Sequence, residues 1–103
     1  MVVISQSTEK DLFDILTGLY FWSKHELTLE HAESYVDDIK NICYGLDKMY
    51  FHAKTEYSQH KSYGENVYTY KRNNQTSWYI IYNIDNRGDI YINKIMSNHL
   101  TVK

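Results

Sequence analysis

Two apolar runs in the C-terminal third, joined by a polar turn, place the strongest constraint on the fold of this chain. The runs occupy residues 78–84 and 90–96 and are rich in Ile and Tyr, which suit a pleated strand. The joint at residues 85–89 contains Asp, Asn and Gly, which allow the backbone to reverse. The pattern predicts a β-hairpin. Because both alternating faces of the first run are largely apolar, we expect a central strand that is at least partly covered on both sides.

Two amphipathic helices are predicted in the N-terminal half. Apolar residues recur at steps of three and four over about residues 8–24 and again over about residues 29–49. Ser7 or Thr8 is expected to cap the first helix, and Thr28 the second. The short link between the two helices predicts that they form an antiparallel hairpin.

The first helix carries two further expectations. Phe13, Tyr20 and Phe21 are expected to widen its apolar face. Gly18 lies inside the helical pattern, where a glycine costs about 1 kcal/mol relative to alanine. We therefore expect close packing against another element at Gly18.

The remaining segments complete an α+β pattern. Residues 2–4 are β-branched and predict a short strand, and residues 67–71 alternate as a strand before a turn at 72–75. Residues 50–66 have no period and predict a loop with at most a helical turn. The order is βααβββ, and it predicts a helical hairpin packed on a mainly antiparallel, twisted sheet within a single domain over residues 1–103.

Charge and cysteine content exclude several classes of protein. The formal net charge is −2, whereas proteins that capture nucleic acid broadly carry a basic surface. The single cysteine permits no intramolecular disulfide, which fits a reducing compartment. No apolar run is long enough to cross a membrane, and no secretory signal is recognisable at the N-terminus. A cytoplasmic location is therefore expected.

No metal or other cofactor is predicted. His25 and His31 stand six residues apart, which is not a recognised ligand spacing, and no cysteine cluster accompanies them. Cys43 lies on the apolar stripe of the second helix, so we expect it to pack in the core rather than act as a nucleophile.

A few residues suit metal-free RNA cleavage, which requires an acid, a base and cations for the phosphate. His99 is a candidate acid or base because histidine titrates near neutral pH. Lys71 and Arg72 are candidates to hold the phosphate. A second acid–base group would come from the loop, from Glu56, His60 or Lys61. The alternative is that His99 is a surface histidine and that Lys71 and Arg72 form a solvated turn.

The strands are unusually rich in tyrosine. The strand tyrosines are Tyr68, Tyr70, Tyr79, Tyr82 and Tyr91. They are consistent with a stacking platform for bases, with a protein interface, or with plain core packing. The low net charge favours core packing or a protein interface over the stacking of bases. The predicted target or partner surface comprises Tyr68, Tyr70, Tyr79, Lys94 and Asn98.

The element order and several motifs resemble the RelE/ParE superfamily, the toxins of type II toxin–antitoxin modules. The principal match is the aromatic–aliphatic run at residues 78–84, followed by a turn and an aliphatic strand that ends in Ile95-Met96-Ser97-Asn98-His99. Further residues match the family's spacing: Asp11, Leu12, Ala32, Ile39, Leu46, Tyr63 and Gly64. The resemblance covers nearly the whole chain.

The resemblance implies a toxin of the plasmid-stabilisation type and a cognate antitoxin that wraps it with a helix and an extended segment. Members that cleave mRNA in the ribosome carry an arginine where this chain has Tyr79, and they are typically basic. The branch that inhibits DNA gyrase by protein binding requires no catalytic set. The expected function is therefore that of a ParE-like gyrase inhibitor.

Two alternatives remain at this stage. The first is a RelE-like, ribosome-dependent mRNA endoribonuclease that requires no metal. The second is a non-toxic binding module of the same fold. Direct binding of nucleic acid is not expected outside the ribosome, and the sequence does not predict the target, the antitoxin family or the oligomeric state.

Overall fold

The computed structural model describes residues 1–22 and 28–98. Its elements in chain order are β1 (Val2–Ile4), α1 (Gln6–Trp22), α2 (Leu29–Gly45), a 3-10 turn (Leu46–Lys48), α3 (Ser58–Lys61), β2 (Asn66–Lys71), β3 (Ser77–Ile84) and β4 (Ile90–Ser97). This order confirms the predicted α+β class and βααβββ arrangement. The 3-10 turn is an addition after α2, whereas the single-turn helix α3 lies in the segment 50–66, for which the sequence allowed a helical turn.

The strands of the described residues form one mixed sheet in the order β1-β4-β3-β2. The three C-terminal strands are antiparallel neighbours, with Tyr68 opposite Ile80 and Ile80 opposite Ile95. Strand β1 runs parallel to β4 and pairs only with its first half, where Val3 lies opposite Tyr91. Within the described residues, no strand therefore pairs with the outer edge of the second half of β4.

The turn between β3 and β4 has the chemistry that the sequence predicts. The Oδ1 atom of Asp85 accepts hydrogen bonds from the backbone N–H groups of Arg87 and Asp89, each at 2.9 Å. Gly88 has a φ of 85°, in the left-handed region that glycine adopts without a steric penalty. The side chain and the glycine together fix the reversal between the two strands.

The main core lies between the helices and one face of the sheet. Helix α2 buries Ala32, Val36, Ile39 and Cys43, which recur at helical spacing. Val36, Ile39 and Cys43 share one cluster with Leu12 of α1 and with three residues of β3, namely Trp78, Ile80 and Tyr82. Each fully buried aliphatic or aromatic side chain contributes about 1.5–3 kcal/mol relative to exposure.

The opposite face of the sheet is covered by the segment between the 3-10 turn and β2. This segment pairs with the start of β2, because the N–H of Val67 donates to the carbonyl of Ala53 and the N–H of Thr55 donates to that of Glu65. Gly64 lies so close to β3 that a Cβ atom on it would be 2.9 Å from the carbonyl oxygen of Tyr82. Ile81, on this face, is fully buried. The prediction that β3 is covered on both sides is therefore confirmed.

The helix ends differ in part from the sequence-based expectations. Thr28 caps α2 as predicted, since its hydroxyl accepts the N–H of His31 at 3.1 Å. The cap predicted for α1 is wrong: Ser5 accepts the N–H of Thr8 at 3.2 Å and the helix begins at Gln6. The hydroxyl of Thr8 donates instead to the carbonyl of Ile92, which anchors α1 to β4.

The C-terminal ends of α1 and α2 can also be compared with the predicted helix ends at residues 24 and 49. The α-helical part of α2 ends at Gly45, and the 3-10 turn follows it. The predicted end of the first helix at residue 24 lies outside the described residues.

Candidate functional site

His60 of α3 is a buried histidine enclosed by aromatic rings. Its side chain is 1% exposed. Its ring centroid lies 4.7 Å from that of Tyr79 and 5.3 Å from that of Tyr57. Among the described residues, its Nε2 atom is buried without a hydrogen-bond partner. Burial lowers the pKa of the imidazole, because desolvation disfavours the charged form.

A cavity of about 230 Å³ adjoins His60 on the sheet face that points away from the helices. Its walls come from the covering segment, from β2 and from β3: Ala53, Lys54, Glu56, Tyr57, His60, Val67, Thr69 and Tyr79. The lining residues thus combine aromatic rings with one cation, one carboxylate and three residues that carry a hydroxyl group. His60 and Tyr79, two of the predicted site residues, are thus brought together.

A larger groove of about 520 Å³ follows the outer edge of β4. Its walls are one side of α1, the second half of β4 and two aromatic residues: Asp11, Asp14, Ile15, Gly18, Leu19, Tyr63, Trp78, Lys94, Ile95, Met96 and Ser97. We call this groove the α1–β4 groove. The groove exists because β1 pairs only with the first half of β4.

Asp11 closes part of the exposed strand edge beside the α1–β4 groove. Its carboxylate accepts the backbone N–H of Ile95 at 3.2 Å and binds the ammonium of Lys94 at 3.2 Å. Lys94 Nζ also lies 5.4 Å from the ring centroid of Tyr63. Asp11 therefore satisfies the backbone amide of Ile95 at this strand edge.

The expectation of close packing at Gly18 is wrong. A Cβ atom at Gly18 would have no neighbour within 4 Å. Gly18 lines the α1–β4 groove, so the missing side chain leaves the groove open instead of admitting a neighbouring element.

The predicted phosphate-binding residues lie apart from His60. The guanidinium of Arg72 donates to Asp38 of α2 at 2.5 Å and to the hydroxyl of Tyr70 at 2.9 Å. It also stacks 4.2 Å from the ring centroid of Tyr35. These contacts place Arg72 on the helical side of the sheet and raise its pKa, chiefly through the hydrogen bond to Asp38. The sequence analysis missed Asp38 and Tyr35, for which no local motif is visible.

The other predicted site residues are placed as follows. Lys71 is exposed at the end of β2, and Tyr68 and Tyr70 are half-buried against the main core rather than displayed as a platform. Asn98 joins the end of β4 to the β2–β3 turn, since its amide donates to Gln75 and its Oδ1 accepts from the N–H of Ser77. His99 lies outside the described residues.

Several large aromatic side chains are exposed. Phe13, Tyr20 and Phe21 of α1 do not widen its buried face, as the sequence predicted, but face solvent. We call these three residues the α1 aromatic patch; Tyr20 and Phe21 meet edge to face at 4.8 Å. A second exposed group lies at the end of α2 and in the segment after it, and consists of Tyr44, Tyr50 and Phe51. Exposed aromatic side chains of this size are typical of protein interfaces.

Among the described residues, the cysteine is buried and no metal-binding cluster is present. Cys43 is fully buried, and desolvation raises the pKa of its thiol to about 12. Within residues 1–22 and 28–98, no three His, Cys, Asp or Glu side chains are arranged to hold a metal ion. In the same part of the chain, no helix has the length and apolar character to span a membrane.

The site therefore consists of two separate features, the α1–β4 groove and the cavity beside His60. No family model matches the chain, and comparison with curated proteins and with solved structures gives no match either.

Proposed function

We propose that this protein is the toxin component of a type II toxin–antitoxin module, that it resembles ParE, and that it inhibits DNA gyrase by protein binding. A cognate antitoxin neutralises it. The observation that carries the proposal is the α1–β4 groove, because an apolar groove suits a protein partner. The α1 aromatic patch is a second exposed apolar surface on the same helix.

The chemistry of the groove indicates what kind of segment it takes. Ile15, Leu19 and Ile95 supply apolar walls. The two carboxylates of the groove are already paired, Asp11 with Lys94 and Asp14 with Lys10, each at 3.2 Å. We therefore propose that the occupant is a segment of the antitoxin with apolar side chains.

The placement of the candidate catalytic residues supports protein binding over RNA cleavage. Arg72 is held by Asp38 on the helical side of the sheet, whereas His60 is buried on the opposite side. Cleavage requires an acid, a base and a cation around one phosphate. Among the described residues, the predicted set of Lys71, Arg72 and His60 does not meet at one point.

The endoribonuclease alternative rests on one observation. His60, Lys54 and Glu56 border the same cavity and include both acid–base groups and a cation. A ribonuclease would stop protein synthesis promptly on expression, whereas a gyrase inhibitor would cause DNA damage and filamentation first. Loss of toxicity in His60→Gln or His99→Ala, with translation as the affected process, would favour the ribonuclease.

The toxin proposal is tested by expressing the chain alone in bacteria with separate measurements of plasmid supercoiling and protein synthesis. We expect growth to stop, with altered supercoiling before translation declines. A folded product that leaves growth unaffected would contradict both toxin functions and favour the non-toxic binding module.

The role of the groove is tested with the product of the neighbouring small open reading frame as the partner. Gly18→Phe places a ring into the open groove, and we expect it to weaken this complex by about tenfold or more, as for a contact at an interface hot spot. Gly45→Phe is the matched control, because Gly45 is equally open but lies outside the groove. Equal affinity of folded Gly18→Phe and Gly45→Phe would show that the partner binds elsewhere.

A further inference from the structure

The α1 aromatic patch lies on the side of α1 that faces away from the core. Phe13, Tyr20 and Phe21 are 62%, 41% and 69% exposed, whereas Leu12 is buried. An α-helix turns by about 100° per residue, so Phe13 and Tyr20, which are seven residues apart, project to nearly the same side. Phe21 extends this surface around the helix. The three rings form an apolar surface that the described part of the chain leaves open.

The spacing of the patch makes it complementary to a second copy of itself. Phe13 and Phe21 stand four residues before and four residues after Thr17, which is half-buried. In a two-fold pair of antiparallel helices that cross at Thr17, Phe13 of one copy lies against Tyr20 and Phe21 of the other. Packed helices approach to about 8–10 Å between their axes, and a residue as small as threonine at the crossing point permits this distance.

The charges of α1 decide between the two directions in which such helices can pair. Lys10 and Asp14 flank the patch and form an ion pair with each other at 3.2 Å. In a parallel two-fold pair every residue faces its own copy, so lysine would meet lysine and aspartate would meet aspartate. In the antiparallel pair, the charged first half of one helix faces the aromatic second half of the other. The like charges are then apart, and the antiparallel direction is favoured.

The exposed area of the patch indicates how strong the contact is. A large aromatic side chain has about 150–250 Å² of surface, so the exposed fractions leave roughly 250–450 Å² of aromatic surface on each copy. Two such surfaces together bury less than the lower limit of about 1,200 Å² for standard stable complexes. The contact therefore suits a weak dimer that forms with rising concentration.

We propose that the α1 aromatic patch binds a second copy of this chain in a weak two-fold dimer, through antiparallel α1 helices that cross at Thr17. The proposal does not rest on the toxin function. The α1–β4 groove takes no part in it, because other residues of α1 line that groove.

The dimer is tested by sedimentation velocity on the full chain from about 5 µM to about 500 µM, where we expect a monomer–dimer equilibrium with a dissociation constant above about 1 µM. Phe13→Glu places a charge in the contact and is expected to weaken the dimer by about tenfold or more. Tyr44→Glu is the matched control, because Tyr44 is an equally accessible aromatic residue on α2. A monomer at every concentration, or equal dimerisation of Phe13→Glu and Tyr44→Glu, would overturn the proposal. Weaker antitoxin binding by a monomeric Phe13→Glu would then assign the patch to the antitoxin.

The direction of the helices is tested by disulfide trapping with diamide as the oxidant. Thr17→Cys places two thiols at the crossing point, with Cα atoms about 4–6 Å apart, as a disulfide requires. We expect this variant to form a linked dimer, whereas Lys10→Cys does not, because the antiparallel pair separates the two copies of residue 10. The natural Cys43 is fully buried and does not compete. Absence of a Thr17→Cys dimer, or faster linkage of Lys10→Cys, would contradict the antiparallel pair.

Discussion

Burial of His60 couples the stability of the fold to pH. Desolvation lowers the pKa of this imidazole below the value of 6.5 that it has in the unfolded chain. Well above pH 6.5 the imidazole is neutral in both states, so His60 adds no pH dependence there. As the pH falls below 6.5, the unfolded chain takes up a proton more readily than the folded one, and the free energy of unfolding decreases.

This linkage is measured by urea unfolding between about pH 7.5 and about pH 5.5, the range in which histidine titrates. We expect the free energy of unfolding to fall with pH in the unmodified protein and to fall less steeply in His60→Phe. His31→Phe is the control, because His31 is exposed on α2. Equal slopes for His60→Phe and the unmodified protein would mean that another group carries the pH dependence.

The close approach of Gly64 to β3 is a second contact that a single substitution can test. A Cβ atom here would lie 2.9 Å from the carbonyl oxygen of Tyr82 and 3.1 Å from Cγ2 of Ile81, so something must shift to admit it. We expect Gly64→Ala to lower the free energy of unfolding by about 1–3 kcal/mol, as overpacking does. Gly45→Ala is the control, because its added methyl group meets nothing within 4 Å. Similar stabilities of the two variants would show that the covering segment yields without cost.

At the scale of elements, Arg72 ties the β2–β3 turn to α2. It binds Asp38 and Tyr70 and stacks on Tyr35, whose hydroxyl accepts the indole N–H of Trp78 at 2.9 Å. Both charged side chains remain partly exposed, so solvent screens their attraction. We therefore expect a double-mutant cycle of Arg72→Ala and Asp38→Ala to give a coupling of about 1 kcal/mol or less.

The same cycle separates charge pairing from stacking. Arg72→Ala removes three contacts and Asp38→Ala removes one, so the arginine variant is expected to be the less stable in urea unfolding. Arg72→Lys keeps the charge but loses the planar guanidinium that stacks on Tyr35. Full stability in Arg72→Lys would show that charge alone holds this junction.

Elements with a strong hydrophobic period were predictable from the sequence. The features that were predicted wrongly depend on contacts between residues that are far apart in the chain. The strand pair β3–β4 and the core face of α2 follow directly from periods of two and 3.6 residues. The start of α1 was misplaced because Thr8, a good cap on local grounds, is used by Ile92, 84 residues away in sequence. The exposure of the α1 aromatic patch also depends on which neighbours α1 finds, and a helical period does not contain that information.

At the scale of the whole molecule, both candidate features arise from how unequal elements fit together. The α1–β4 groove exists because β1 has three residues and β4 has eight, so that α1 rather than a strand flanks the rest of the strand edge in the part of the chain that the structure describes. The cavity beside His60 exists because an aperiodic segment folds back over β3 and brings His60 to Tyr79. Neither a difference in strand length nor a segment that folds back over a sheet produces a local sequence motif. The sequence analysis therefore selected His60 and Tyr79 as candidates but did not predict that they lie in contact.

The last prediction concerns RNA binding and rests on the net charge, which is a property of the whole surface. Phosphate neutralisation by lysine and arginine provides most of the affinity of proteins for nucleic acid. This chain has 11 such residues against 13 acidic ones. Arg72, Lys94 and Lys10 are further engaged in ion pairs with aspartates.

We therefore expect the isolated protein not to bind a fluorescently labelled single-stranded RNA tighter than about 10 µM at about 0.15 M salt, in a fluorescence anisotropy titration. Lys71→Glu is the informative variant, because Lys71 is exposed and was the predicted phosphate contact. If the unmodified protein bound RNA in the micromolar range, with a steep salt dependence that Lys71→Glu reduced, a local basic surface would outweigh the net charge. The endoribonuclease would then be the better function for this fold.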